Sequence, residues 1–319
     1  MLDALDGSRG VSFLKFNARM LNASHVKALR TPEWETRLAV ADHVCYLRLV
    51  DELGYHKATC PEHFVISEGH RDLSGEQYFH ATTALAFIAG VAPRIKVASQ
   101  ITILPLLNPI VQAKMWATLD CLSGGRAIMQ AAVGWHEEEY GMLGVPFHER
   151  GRRMDEYIEA ILELWRNDNP IYDGEFVKFK NVGARPKPVN GTIPIWFGGD
   201  APAVLRRVAK WGSGWSPALT APEEIPQKLD FIRQHPDYKG QPLGVVYSLV
   251  LRRVGEAHAI LDAPESEGLT NAQALIDQIG WLESLGVTET SLPRPHHRDF
   301  EEFLDWVRWT AAEIMPHTG

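Results

Sequence analysis

Four short segments gather the residues best able to do chemistry. Pro61-Glu62-His63-Phe64 sets a carboxylate beside an imidazole, and a histidine titrating near neutrality can hold a proton or pass it on. The competing reading is a loop histidine with a structural bond, one of 13 in the chain. Val133-Gly134-Trp135-His136-Glu137-Glu138-Glu139-Tyr140 adds a second imidazole and three consecutive carboxylates. Those carboxylates look superficially like a metal cluster, but adjacent positions do not converge on a helix. A solvated face is expected for Glu137 to Glu139, and no metal. Gly198-Gly199-Asp200-Ala201-Pro202 offers glycines that let backbone approach a ligand, and a proline suited to a first helical turn. Free N–H groups at such a turn attract an anion; the alternative is an ordinary turn capped by Asp200. The last segment runs from Gln100 and Thr102 through Leu104-Pro105 to Asn108-Pro109.

Each segment follows an apolar run that reads as a strand. The strands expected are Val11–Phe16, Tyr55–Cys60, Ile95–Leu104, Arg126–Val133, Ile193–Phe197, Trp215–Ala218, Leu243–Leu251 and Thr288–Leu292. Helical patterns lie between them, over Thr36–Leu53, Phe79–Val91, Ile110–Leu122, Ala203–Lys210 and Phe300–Ile314. The strongest is Asp155–Trp165, with Tyr157, Ile158, Ile161, Leu162 and Trp165 at three-and-four spacing. Strands alternating with helices argue for parallel βα repetition. A doubly wound open sheet competes, but eight strands over nearly the full length favour a closed (β/α)8 barrel occupying residues 1–319 as one domain. In such a barrel, reactive groups sit where strands end and βα loops begin, which is where all four segments fall. Three long polar stretches, Asn17–Glu35, Glu139–Arg153 and Asn167–Thr192, are expected to act as lids or binding loops.

Composition narrows the class. The chain has 45% hydrophobic and 23% charged residues and a formal charge of -8, ordinary for a globular protein. An acidic balance without charge blocks argues against nucleic acid or an anionic membrane as the main partner. Cys45, Cys60 and Cys121 show no paired spacing, so neither a disulfide framework nor a zinc site is expected. The Met1–Gly10 segment has no apolar core, and the longest apolar stretch, Ala84–Ala92, is far short of a bilayer span. A cytoplasmic protein is the expectation.

Several spaced segments together carry a resemblance. They are Leu104-Pro105 with Asn108-Pro109, Ala117-Thr118-Leu119-Asp120 through Leu122-Ser123-Gly124-Gly125-Arg126, and Val133-Gly134-Trp135 through Gly144-Val145-Pro146-Phe147 and Glu149-Arg150-Gly151. Pro186-Lys187-Pro188, Pro194-Ile195-Trp196-Phe197-Gly198-Gly199 and Gly212-Ser213-Gly214-Trp215 complete the set. In this order they resemble the bacterial luciferase-like flavin monooxygenase superfamily, which includes deazaflavin-dependent oxidoreductases. The resemblance implies reduced FMN, supplied by a separate reductase, and O2 oxygenating a small organic substrate. A deazaflavin coenzyme and hydride transfer are the alternative, and a non-catalytic flavin-binding protein a further one. It also implies a homodimer or higher homo-oligomer, for which the apolar third helix with Met115 and Trp116 is a candidate face.

Residue by residue, Glu62-His63 matches the pair that supplies the catalytic histidine, His63, with Glu62 beside the cofactor. Phe64 replaces the second histidine often found there. Gln100 and Thr102 match a third-strand bulge beneath the flavin ring, although inward polar residues satisfied by the barrel would look the same. Gly134, His136 and Tyr140 match the fourth-strand loop bordering the cofactor, and Gly198, Gly199 and Asp200 the segment bordering its phosphate. An aspartate there would repel phosphate, so the backbone carries that match. No GxGxxG follows a strand, so a built-in nicotinamide site is not expected. An unrelated metal-dependent barrel would need His and carboxylate ligands at several strand ends, and only Glu62 and His63 fit.

Overall fold

Eight parallel strands form a ring in the computed structural model, which describes residues 14–25, 31–248, 271–291 and 297–318. They are β1 (Lys15–Arg19), β2 (Lys57–Cys60), β3 (Lys96–Ser99), β4 (Ala127–Ala132), β5 (Ile195–Gly198), β6 (Gly214–Ser216), β7 (Gly244–Ser248) and β8 (Glu289–Ser291). Each pairs with its neighbour in sequence, and β8 closes the ring on β1 through Lys15↔Glu289. A helix follows each strand: α1 (Val40–Glu52), α2 (Ala81–Val91), α3 (Pro109–Ser123), α4 (Arg150–Arg166), α5 (Pro202–Trp211), α6 (Ile225–Gln234), α7 (Ala272–Ser284) and α8 (Phe300–Glu313). The expected (β/α)8 barrel is the observed fold.

Local chemistry explains the boundaries. Asn108 caps α3 by accepting from Ile110 N at 2.9 Å, Pro109 opens the helix, and Gly124 ends it in the left-handed conformation. Asp299 caps α8 in the same way, accepting from Glu302 N. The helices bury apolar faces against the outside of the ring; α4 buries Tyr157, Ile158, Ile161, Leu162 and Trp165, the residues its periodicity singled out.

The barrel interior is layered. At the floor, Lys57 Nζ lies 2.6 Å from Glu289 Oε2, and Asn17 Nδ2 donates to the same oxygen at 3.0 Å. The Trp196 ring lies beneath the Lys57 ammonium, 4.1 Å from its centroid. Its indole fits only because β6 and β7 start with glycine: a Cβ at Gly214 or Gly244 would fall 2.2 or 2.3 Å from it. Ala98, Ile128 and Val246 pack on Trp196 as an apolar middle layer. Two residues further along the same strand faces come Arg19, Thr59, Gln130, Ser216, Ser248 and Ser291, so the mouth is polar.

Several sequence expectations need correction. The first strand is Lys15–Arg19, not Val11–Phe16; its inward Asn17 and Arg19 made its second half look like loop, and residues 11–13 lie outside the described ones. The third strand stops at Ser99; after a cis Gln100–Ile101 peptide, Thr102–Ile103 resumes pairing with β4, and Leu104–Leu106 is a 3-10 turn. Glu139–Arg153 is mostly helical, because the end of the Glu137–Met142 helix, a 3-10 turn over Phe147–Glu149 and the start of α4 fall within it. Tyr172–Asp173 and Lys178–Phe179 form a small antiparallel ribbon inside Asn167–Thr192. Trp116 is fully buried within the chain, so it forms no part of a surface for assembly. Residues 249–251 and 292 of the seventh and eighth expected strands lie outside the described residues.

Candidate active site

The loops after β2, β3 and β4 are stitched into one body at the mouth. Glu139 Oε2 lies 2.8 Å from His63 Nδ1, while its Oε1 accepts from Phe64 N at 2.6 Å and Val65 N at 3.3 Å. His136 Nε2 accepts from Ser67 N at 3.1 Å, and Glu62 Oε2 from Ile103 N at 3.2 Å. Gly134, at φ 71°, brings the β4 loop so close that a Cβ would lie 2.6 Å from Ile103 Cγ2. Tyr140 donates its hydroxyl to Val133 O and packs its ring with Ile103 and Leu106.

His63 sits on this body edge-on to Tyr78, Trp135 and His136, with ring centroids 4.9, 5.7 and 6.3 Å away. Trp135 is 48% exposed and forms the rim. The carboxylate that orients His63 is therefore Glu139 and not its neighbour Glu62. Glu139 is fully buried, against the solvated face expected for Glu137 to Glu139. Burial pushes its carboxyl up, but the His63 hydrogen bond and charge and the loop N–H donors outweigh it and hold the group below the ordinary carboxylate range. Glu62 goes the other way. Burial, opposed by the Ile103 N–H and reinforced by the nearby Glu139 charge, pushes it up to about 7. Its carboxyl points into the protein, so it braces the β3 loop.

His136 is 1% exposed, and burial lowers its pKa against the pull of Glu138. Accepting from Ser67 N–H requires a bare Nε2, which puts the ring proton on Nδ1, 3.1 Å from Glu138 Oε2. His70, His136 and Glu138 do bring possible ligand atoms within 4.8 Å of one another. However, a metal on His136 Nδ1 would move the ring proton to Nε2, against the Ser67 N–H, so His136 as held here does not suit coordination.

On the other side, Thr59 Oγ1 donates to Gln100 Oε1 at 2.8 Å, leaving the Gln100 amide N–H groups for another acceptor. Thr102 Oγ1 and both polar atoms of the Gln130 side chain are buried without a hydrogen-bond partner. Such orphaned groups are costly unless a ligand or water meets them. At Gly198 a Cβ would lie 2.2 Å from Ile101 Cδ1, so a side chain there would require the end of Ile101 to move. Gly199, at φ 115°, already donates its N–H to Ser216 O at 2.9 Å, so it is not a spare donor for an anion. Asp200 does not cap α5, whose N-cap is Ala201. Its carboxylate accepts from Ala218 N, Leu219 N and Thr220 N at 3.1, 2.8 and 3.0 Å, tying the loops after β5 and β6 together. Tyr140, fully buried with its hydroxyl engaged, supports the loop instead of lining the mouth.

Sequence reasoning missed Glu139 and Gln130. Gln130 announces itself as a polar residue in phase with the inward positions of its strand. Glu139 has no such signal, because its partner is 76 residues away.

Residues 12–313 match the sequence model of the luciferase-like monooxygenases. The chain belongs to the luciferase-like monooxygenase family. Among its relatives, an uncharacterised protein of Mycobacterium tuberculosis is 32% identical over 191 residues, 56% of this chain and 67% of that one. The FMNH2-dependent dimethylsulfone monooxygenase of Pseudomonas putida is 33% identical over 111 residues, 34% of this chain and 31% of that one. A solved monooxygenase from Streptomyces bottropensis superposes with a TM-score of 0.72 at 20% identity, covering 95% of this chain and 99% of that one. The coenzyme F420-dependent tetrahydromethanopterin reductase of Methanopyrus kandleri gives 0.69 at 18% identity, covering 96% and 100%. At these identities the two structures speak for the luciferase-like fold alone.

Proposed function

We propose that this luciferase-like protein is a flavin-dependent monooxygenase, using reduced FMN from a separate reductase and O2 to oxygenate a small organic substrate. The observation that carries the catalytic part is the imidazole of His63, held by the buried carboxylate of Glu139 at the barrel mouth. The FMN-dependent relative favours FMN over a deazaflavin.

The residues present suit a flavin. Its ring edges, rich in acceptors and donors, would meet the free Gln100 amide N–H groups and the orphaned Thr102 hydroxyl. Its phosphate would lie toward the N-terminal end of α5, where the helix dipole favours an anion and Asp200 is already engaged by other donors. Bound in reduced form, the flavin supplies the electrons that activate oxygen. The protein's own part is to exclude water, orient the substrate and control a proton at His63 Nε2.

The test is a parallel titration of the purified protein with FMN and the deazaflavin coenzyme, followed by oxygen-uptake measurements with a flavin reductase. FMN should bind the more tightly, and oxygen uptake should yield oxygenated product. Tighter binding of the deazaflavin, with substrate oxidised and no oxygen consumed, would replace oxygenation by hydride transfer. FMN binding without turnover of any substrate tried would point to a flavin-binding protein.

A further inference from the structure

The loop after β2 is short of ways to fix its own histidine. Glu62, the adjacent carboxylate, is turned away to Ile103 N, and Phe64 offers no polar group. Within its own loop only the Tyr78 ring packs edge-on against His63, and the hydrogen bond that fixes the ring comes from the β4 side. Glu139 is well built for it. One oxygen is occupied by two backbone N–H groups, Phe64 and Val65, and the other faces His63 Nδ1 at 2.8 Å. A carboxylate so engaged has no proton to donate, so the hydrogen in the His63 contact sits on Nδ1. Neutral His63 then keeps a bare Nε2.

We propose that Glu139 is the positioning residue of this site: it fixes His63 as its Nδ1–H tautomer and delivers Nε2 as the atom that accepts and returns a proton. The use of that proton rests on the functional reading above; the tautomer does not. A cycle then balances simply. Nε2 takes one proton from the reacting group, the imidazolium is stabilised by the Glu139 carboxylate, and the same proton is returned, with Glu139 ionised throughout. The geometry gives Glu139 two separable tasks. Its Oε1 anchors the loop backbone, and its Oε2 sets the ring.

Glu139→Gln separates them. The amide oxygen still accepts from Phe64 and Val65 N–H, while its NH2 now faces Nδ1 and demands an acceptor there. The loop stays, and the tautomer reverses to Nε2–H. The measurement is the ring nitrogen spectrum of histidine-labelled protein without cofactor, at a pH where the rings are neutral, with His63 assigned by its loss in His63→Asn. Native protein should show a protonated Nδ1 and a bare Nε2, and Glu139→Gln the reverse. The Gln variant should also bind flavin within about threefold of the native protein, with kcat at least tenfold lower and KM little changed.

Native protein with His63 protonated at Nε2 overturns the assignment, and that spectrum needs no variant to fold. An unchanged tautomer in Glu139→Gln overturns it too, as does undiminished kcat with a reversed tautomer. If the tautomers behave as expected but no flavin binds, the functional reading fails and the positioning role stands.

Discussion

His63 shows how little a residue's identity says about its chemistry until its partners are known. One of 13 histidines, it differs from His136 in which ring nitrogen is held by a hydrogen bond. In His136 Nε2 is used by Ser67 N–H, so the ring is structural. In His63 the ring is gripped at Nδ1 by Glu139. His63→Asn should keep cofactor affinity close to native, because a large flavin spreads its binding over many contacts. Turnover should fall by at least tenfold, since a general acid–base group typically contributes about 100- to 10,000-fold. Steady-state kinetics beside a flavin titration check this; normal turnover in the variant would remove His63 from the chemistry.

At the level of elements, the site is a cross-stitched set of loops, and the stitches come from both polar and steric matches. Glu62 joins β2's loop to β3's, Glu139 and His136 join it to β4's, and Gly134 lets β4's loop rest on Ile103. Gly134→Val puts a branched side chain at φ 71°, with its Cβ 2.6 Å from Ile103 Cγ2. Strain of this kind costs roughly 1–3 kcal/mol. The variant should lose about that much in denaturant unfolding and show a larger fall in kcat, because the loop carrying Glu139 must shift. Native stability with native kcat would mean the β4 loop is positioned by something other than this contact.

The whole barrel divides its labour between its ends. The floor, with Lys57, Glu289, Asn17 and Trp196, is sealed and charge-balanced; burial pushes Glu289 up, but Lys57 outweighs it and holds the carboxyl below its ordinary value. The mouth leaves the Thr102 hydroxyl and both polar atoms of the Gln130 side chain without hydrogen-bond partners, and at the floor Asn17 Oδ1 is also unpartnered. Lys57→Met keeps much of the volume but leaves the buried Glu289 carboxylate with only Asn17 Nδ2 at 3.0 Å and His56 Nε2 at 3.5 Å as close polar neighbours. Removing one partner of a buried pair typically costs about 3–5 kcal/mol, so the unfolding midpoint should drop steeply. Flavin affinity under folding conditions should be close to native, since the change lies at the other end. Stability equal to native would show that the floor tolerates Glu289 in neutral form at little cost.

What the sequence determined by itself was the periodic part. Strands and helices alternate because apolar residues recur at spacings of two or of three and four. Those spacings placed each barrel strand over or beside its observed position, the first set about four residues early and the third run on five residues too far. Local signals such as Asn108 before Pro109 set helix ends because cap and helix are neighbours in the chain. Only the tertiary structure decided which polar groups meet. It gave His63 the carboxylate of Glu139 instead of that of Glu62, turned Asp200 away from its own helix to the β6 loop, and closed Lys57 on Glu289 across the barrel floor. The physical reason is that side-chain hydrogen bonds and ion pairs act over about 3 Å in space, whatever the distance along the chain. Three adjacent glutamates look alike in sequence, and burial makes one of them, Glu139, different from the other two.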